Sequence, residues 1–382
     1  MICHGVIRDK SHTRYLGIDC LIYHGVIRDI SHGFCNKIPG RMRLSRIADR
    51  YGRPQSDNRI QSDVRHACII DLGLQPAQKQ KLSMLTFEPI TDVLGATVQG
   101  VNLAQPLSAA DFSTILEGLG RHGVLCFRNQ AIDPQDLRDF SARFGRLQTG
   151  VSGLHEPGFP EISVLSNVIE NGKPIGLPDA GQDWHTDMSY NNTIGFVNVL
   201  HAIKVPRRDG KALGDTLFAN MHAAYDGLAP ELKSRLEHCT VTHDFNKFWE
   251  GMVNRPGSTR KPLTAEQRAK RPPSVHPIFL THPISGRKVL YCNPGYAIKI
   301  NELTESESKR TLKFLFEHQV QPRYQYRHAW SEGDVLVWDH IGTLHNALPD
   351  YEPHEHRLMK RCQVIADRIF DPSFVHAHLS LH

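Results

Sequence analysis

The chain has 382 residues, 40% apolar and 22% charged. That is the balance of a globular enzyme able to bury a sizeable core without disulfides. No apolar run reaches the roughly 18 residues of a membrane helix, and no charged-then-apolar leader opens the chain, so a cytoplasmic protein with no membrane partner is expected. The formal charge of +5 gives no case for nucleic acid. Residues 1–83 hold 14 Lys and Arg against 7 Asp and Glu, and the remainder hold 31 against 33. The eight cysteines form no C-x-x-C pair, which removes zinc-ribbon and thioredoxin readings and leaves reduced, mostly buried thiols.

The first 83 residues differ in texture from the rest. They contain none of the four tryptophans and one phenylalanine, Phe34. His4–Asp9 (HGVIRD) recurs as His24–Asp29. Two copies are too few for a solenoid, so a poorly ordered extension is expected, with Met84 as a candidate true start of a catalytic domain over 84–382. Cys3, His4, Cys20, His24 and Cys35 are a candidate metal group whose spacing fits no zinc template.

The texture changes at Met84, and short alternating strands and turns are predicted over Leu85 to Leu107. A helix over Ala109–Gly120 follows, capped by Ser108 and stopped by Gly120. His122–Arg128 reads as a strand. Asp133-Pro134 opens a second helix to about Phe144, with proline at its first position. Beyond Ile162 strands dominate, among them Glu161–Leu165, Phe196–Ile203, Val289–Cys292 and Asp334–Trp338. The polar, proline-rich stretch from Asn246 to Ser274 is expected to be a mobile loop. A helix over Glu305–His318 starts at Thr304. Many short strands predict a mainly β fold with flanking helices, in sandwich, jelly-roll or small-barrel form. No G-x-G-x-x-G or P-loop follows a strand, which excludes nucleotide folds.

Three features carry chemistry. In Gln182–Asp187 (QDWHTD), His185 and Asp187 are two apart, which on an extended strand places an imidazole and a carboxylate on one face. His185 is the only one of 23 histidines followed two residues on by an acid. Downstream, Val337–Ala347 (VWDHIGTLHNA) offers His340 or His345 as a third ligand. Two histidines and one carboxylate leave an iron three open positions, two for a 2-oxoacid and one for O2. Finally, Arg357 and Arg361 lie four apart in His356–Arg361 (HRLMKR), and a guanidinium holds a carboxylate through two parallel hydrogen bonds. Taken singly, each has a plain alternative: a surface pair, a core histidine, a solvated strand edge.

In this order the features resemble the taurine dioxygenase family, which includes 2,4-D dioxygenases and alkylsulfatases. The resemblance spans about Met84 to Phe370. It rests on Trp184-His185-Thr186-Asp187, Gly214-Asp215-Thr216-Leu217, Thr281–Gly286, Asn293-Pro294-Gly295-Tyr296, Trp338-Asp339, His345 and Asp350-Tyr351. It implies a double-stranded β-helix, a cupin-like jelly-roll barrel. Fe(II) would be held by His185, Asp187 and His345, which favours His345 over His340. Thr216 and Arg357 would hold 2-oxoglutarate, and Arg361 would lie next to the substrate. The implied reaction hydroxylates a C–H bond with O2, releasing succinate and CO2. Asp187 speaks against a halogenase, where that carboxylate is missing. The family's oligomeric habit suggests a homo-oligomer.

The pocket departs from that of taurine users. Gly181 stands where they have asparagine, Met188 where valine is usual, and Tyr296 where phenylalanine is. With Arg361, Phe248 and His155 as further lining residues, the expected substrate is another small organic anion: a sulfonate, sulfate ester or aryloxy acid. Alternatives are a carnitine-pathway-like hydroxylase of a quaternary ammonium compound, which needs an aromatic cage, and a non-catalytic metal-binding barrel, which needs neither Thr216 nor Arg357. A zinc hydrolase lacks its H-E-x-x-H.

Overall fold

The computed structural model describes residues 85–149, 153–255, 258 and 260–379, together with strands at Gly5–Val6, His12–Tyr15 and Ile18–Leu21. The chain divides into two units, Met1–Leu82 and Ser83–His382. In the first unit the three strands pair in the order first, third, second. Most of that segment, and with it the expected disorder and the grouping of Cys3, His4, His24 and Cys35 with Cys20, falls outside the described residues; of the five only Cys20 lies in a described strand.

The second unit is built on two facing sheets. The large one has eight strands, in the order Thr86–Pro89, Ala96–Gln99, Val124–Phe127, Val335–Asp339, Gly195–Lys204, Leu358–Ile365, Phe159–Ser166 and His155–Glu156. All neighbours are antiparallel except the second and third. The small sheet holds Thr216–Asn220 between Gln325–His328 and Thr343–Ala347.

Period-2 alternation gives the large sheet two apolar faces. Leu125, Phe127, Val197, Val199, Val335, Val337 and Val364 pack with Phe112, Ile115, Leu116 and Leu119 of one helix and Leu137 and Phe140 of another. The opposite face, with Cys126, Leu200, Leu336, Trp338 and Met359, meets Phe218 and Tyr326 of the small sheet. Trp338 sits edge-on to Phe218 at 5.5 Å. Each such buried side chain contributes about 1.5–3 kcal/mol. Among the described residues the two sheets share no paired strand, so the hydrogen-bonded ladder does not close into the expected barrel.

Local rules set the helix starts. Ser108 accepts from the Asp111 amide at 3.0 Å, and Thr304 and Glu307 form a reciprocal capping box ahead of Glu305–Gln319. The first helix runs through Gly120 to His122 and stops at Gly123, whose φ of 67° suits glycine. Gly120 is a point of close approach: a Cβ there would sit 2.3 Å from Ile284 Cγ2. The predicted strand at His122–Arg128 accordingly shortens to Val124–Phe127.

The stretch from Asn246 to Ser274 is not simply a loop. It carries most of a helix, Phe245–Val253, capped by Asp244, and a second, Ala265–Ala269, with a Thr264/Gln267 capping box. Its polar average conceals Phe248, Trp249 and Met252, which continue from Phe245 at helical spacing. Trp249 Nε1 donates to the Lys261 carbonyl at 2.8 Å, and Arg260 pairs with Asp179 and Arg255 with Asp183. Among the described residues no helix is long and apolar enough to cross a membrane, and Cys126, Cys239, Cys292 and Cys362 are buried free thiols.

Candidate metal centre and active site

The site is assembled by a backbone contact between two distant histidines. The His185 amide donates to the His345 carbonyl at 3.0 Å, and the His345 amide donates to the His185 carbonyl at 2.8 Å. Because His345 lies on Thr343–Ala347, this single bridge adds His185 to the edge of the small sheet. The rings stand with centroids 4.2 Å apart. Residues 182–187 are otherwise not a strand. Asp187 reaches the histidines from a turn in which Met188 takes a φ of 60°. The expected strand is not present: a bridge at His185 and a turn at Asp187 bring the two side chains together instead.

His185 Nδ1 lies 2.8 Å from the Asp183 carbonyl oxygen, which can only accept, so Nδ1 carries the proton and Nε2 is free. Nε2 is 3.5 Å from Asp187 Oδ1, and His345 Nε2 is 3.7 Å from Oδ2. One ligand atom from each of the three buried residues lies within 4.8 Å of the others. His340 is outside this group. Its ring centroid is 6.1 Å from that of His345, and its Nδ1 faces the Thr186 hydroxyl at 3.3 Å.

Asn198, on the interior face of the large sheet, donates to Asp187 Oδ2 at 2.9 Å, and Arg361 Nη1 stands 3.5 Å from the same oxygen. Burial pushes the Asp187 carboxyl up. The neighbouring His185, Arg361 and His345 outweigh it and hold the group well below the usual range. Burial and the neighbouring His185 keep the His345 imidazole well below its ordinary pKa. A carboxylate beside neutral imidazoles is the state that binds a divalent cation.

A second interior group, Cys126, His328 and Asp334, also has ligand atoms within 4.8 Å of one another. There Arg128 Nη1 is 2.5 Å from Asp334 Oδ2 and the Ser331 amide donates to the same oxygen at 2.8 Å. That carboxylate already has its cation.

Thr216 and Arg357 are both buried. The Thr216 hydroxyl accepts from Trp330 Nε1 at 3.1 Å. Arg357 bonds to Tyr351, and a Cβ on Gly214, two residues before Thr216, would sit 3.5 Å from its Cδ. Among the described residues Arg357 has no acidic partner, and its Nε has no hydrogen bond. Arg361 Nε is likewise unpartnered.

Phe248 and Tyr296 border the histidines, with ring centroids 5.0 and 6.3 Å from His185. Met188 is buried, and its Cε would lie 2.9 Å from a Cβ on Gly195, beside His340. His155 is exposed at the edge of the large sheet, in register with Ser163 and through it with Arg361. Sequence reasoning missed Tyr190 and Phe245, which continue the aromatic wall. Tyr190 is 4.8 Å from Tyr296 and 4.9 Å from Phe245. It missed Asn198 as well. The signal for Phe245 was its place just ahead of Phe248 and Trp249, immediately before the segment read as loop. Asn198, a lone amide in an otherwise apolar run, was the visible anomaly on its strand.

Residues 86–363 match the family model described as taurine catabolism dioxygenase TauD, TfdA family. Pentalenolactone F synthase of Streptomyces avermitilis is 33% identical over 292 residues, covering 73% of this chain and 93% of that protein. The alpha-ketoglutarate-dependent 2,4-dichlorophenoxyacetate dioxygenase of Cupriavidus pinatubonensis is 29% identical, covering 74% and 98%. The crystal structure of AAD-2 with Mn(II) and N-oxalylglycine superposes with a TM-score of 0.62 at 27% identity, covering 74% of this chain and 96% of that one. The chain belongs to the TauD/TfdA family. It is a 2-oxoglutarate-dependent dioxygenase, with Fe(II), 2-oxoglutarate and O2 as its cofactor and cosubstrates.

Proposed function

We propose that His185, Asp187 and His345 hold Fe(II), and that Thr216 and Arg357 receive the distal carboxylate of 2-oxoglutarate. Arg361 faces the substrate, with Phe248 and Tyr296 as its apolar wall. In this reading the two facing sheets are the halves of a jelly-roll double-stranded β-helix, and residues 84–382 are the catalytic part. The substrate is a small organic anion of the sulfonate, sulfate ester or aryloxy acid kind.

The observation that carries the reading is Arg357. A buried guanidinium without an acidic partner is costly unless an anion completes it. A non-catalytic metal barrel would have no use for one. A carboxylate arriving there would satisfy the free Nε and gain charge-assisted hydrogen bonds.

Bound iron and 2-oxoglutarate supply the oxidation, with O2 delivering one oxygen to the substrate C–H bond and one to succinate as CO2 is released. The protein's own groups position and exclude. Asn198 holds the Asp187 carboxylate by its Oδ2. The Asp183 carbonyl fixes the His185 tautomer. Phe248 and Tyr296 shield the His185 side from water.

Anaerobic titration with Fe(II) and 2-oxoglutarate, followed by visible absorbance, tests the assignment. A weak charge-transfer band is expected, absent in Asp187→Ala. In Arg357→Ala the 2-oxoglutarate Kd should rise about 10- to 100-fold. Normal 2-oxoglutarate affinity in Arg357→Ala would refute the role given to that residue.

A further inference from the structure

The helical segment between Phe245 and Ser274 carries four arginines: Arg255, Arg260, Arg268 and Arg271. Three are ion-paired, with Asp183, Asp179 and Glu250. Arg271 is not. Among the described residues its guanidinium makes no hydrogen bond or ion pair, and it lies over the Phe245 ring, 4.2 Å from the centroid. An arginine held on an aromatic face keeps its edge donors free for a carboxylate.

Ring contacts connect this cation to the metal centre. Phe245 meets Tyr190 at 4.9 Å, Tyr190 meets Tyr296 at 4.8 Å, and Tyr296 meets Phe248 at 5.0 Å. Phe248 and Tyr296 in turn border His185. The wall therefore has a metal end, where Arg361 Nη1 stands 3.5 Å from Asp187, and a far end with a cation that has no acidic neighbour among the described residues. Burial pushes the Tyr190 hydroxyl up to about 12; the Asp187 charge adds to that shift, while the Arg271 and Arg361 cations oppose it. Both ends of the wall thus act on one side chain.

We propose that Arg271 is a specificity-determining residue that binds the acidic group of a substrate whose apolar body lies along Phe245, Tyr190, Tyr296 and Phe248. This inference rests on the iron and 2-oxoglutarate reading given above and names the substrate class within it. The substrate is an extended, ring-bearing carboxylic or sulfonic acid, and the carbon presented to the metal is remote from the acid group. An acid anchored only on Arg361 would instead present the carbon next to it.

The test is calorimetric titration of the full chain loaded with Mn(II) and 2-oxoglutarate, a complex that does not turn over. The probes are phenylacetate, 3-phenylpropionate and 4-phenylbutyrate, each compared with its neutral amide. For the best-fitting acid, binding about 10- to 100-fold tighter than its amide is expected, the worth of a charged hydrogen bond. That ratio should fall to near one in Arg271→Gln and recover in part in Arg271→Lys. The 2-oxoglutarate affinity should be unchanged in both variants, which also establishes that they are folded. The proposal is overturned if no acid outbinds its amide, or if the preference survives Arg271→Gln and disappears in Arg361→Gln. Failure of Mn(II) and 2-oxoglutarate to bind the unaltered chain would instead sink the underlying site assignment.

Discussion

Among the described residues, two places in the interior of this enzyme bring a histidine and an aspartate together with a further potential ligand, and one of them has the makings of a metal centre. At Cys126, His328 and Asp334 the carboxylate is closed off by Arg128 and the Ser331 amide, and burial with the Asp334 charge pushes the Cys126 thiol up to about 12, away from the thiolate a metal needs. At His185, Asp187 and His345 the nearest cation, Arg361, stands off at 3.5 Å, and both imidazole Nε2 atoms face the carboxylate. Each group holds a histidine and an aspartate with a third residue's ligand atom within 4.8 Å. What separates the two is whether the protein has already balanced the negative charge.

That contrast can be broken by mutation. Asp187→Ala is expected to abolish Fe(II) binding and turnover, read by metal titration and succinate release, whereas the fold survives. Asp334→Ala should do the reverse. It leaves a charge-paired position empty and costs about 3 kcal/mol, seen as a lowered Tm, with Fe(II) affinity retained. Asn198→Ala sharpens the comparison at the metal centre itself. Loss of its bond to Asp187 Oδ2 should weaken Fe(II) about 10- to 100-fold without unfolding. Equal Fe(II) affinity in Asn198→Ala and the parent would show that Asp187 needs no orienting partner.

A smaller, pH-dependent effect is expected at Asp339, which is buried with His282 Nε2 at 2.9 Å and accepts the amides of Ile341 and Gly342. Burial raises its pKa, but the His282 charge and hydrogen bond and the Ile341 amide outweigh it, so the folded value lies below the ordinary one. A carboxylate depressed on folding contributes stability that is fully present above its unfolded pKa of about 3.9 and is lost as pH falls through the folded value. Asp339→Asn should flatten the acid limb of a Tm-against-pH curve. The smallest effect is Ser108→Ala, which removes one helix cap and about 1 kcal/mol, measurable by urea unfolding.

Much of this was legible in the chain before its fold was known, for reasons that differ by residue. Helix starts at Ser108, Asp133 and Thr304 obey short-range capping chemistry and sit where the side chains say. His185 and Asp187 stood out because one histidine in 23 has an acid two residues on. The mutual bridge between His185 and His345 was not legible, since it joins residues 160 positions apart through backbone atoms that carry no sequence signature. Gly120 reads as a helix stop because glycine is ambiguous between freedom and closeness, and only Ile284 in place resolves it. The helix that carries Trp249 and Met252 was hidden for another reason. The segment from Asn246 to Ser274 is polar on average, and an average discards the few apolar positions that decide where it docks.

The reciprocal amide contacts of His185 and His345 have a consequence for how the centre can open. Neither residue can leave its place without releasing both hydrogen bonds, so their two amides should exchange with deuterium as a single event rather than independently. A ligand that braces either histidine would slow both amides together, giving an isotopic clock on the metal centre that needs neither colour nor turnover to be read.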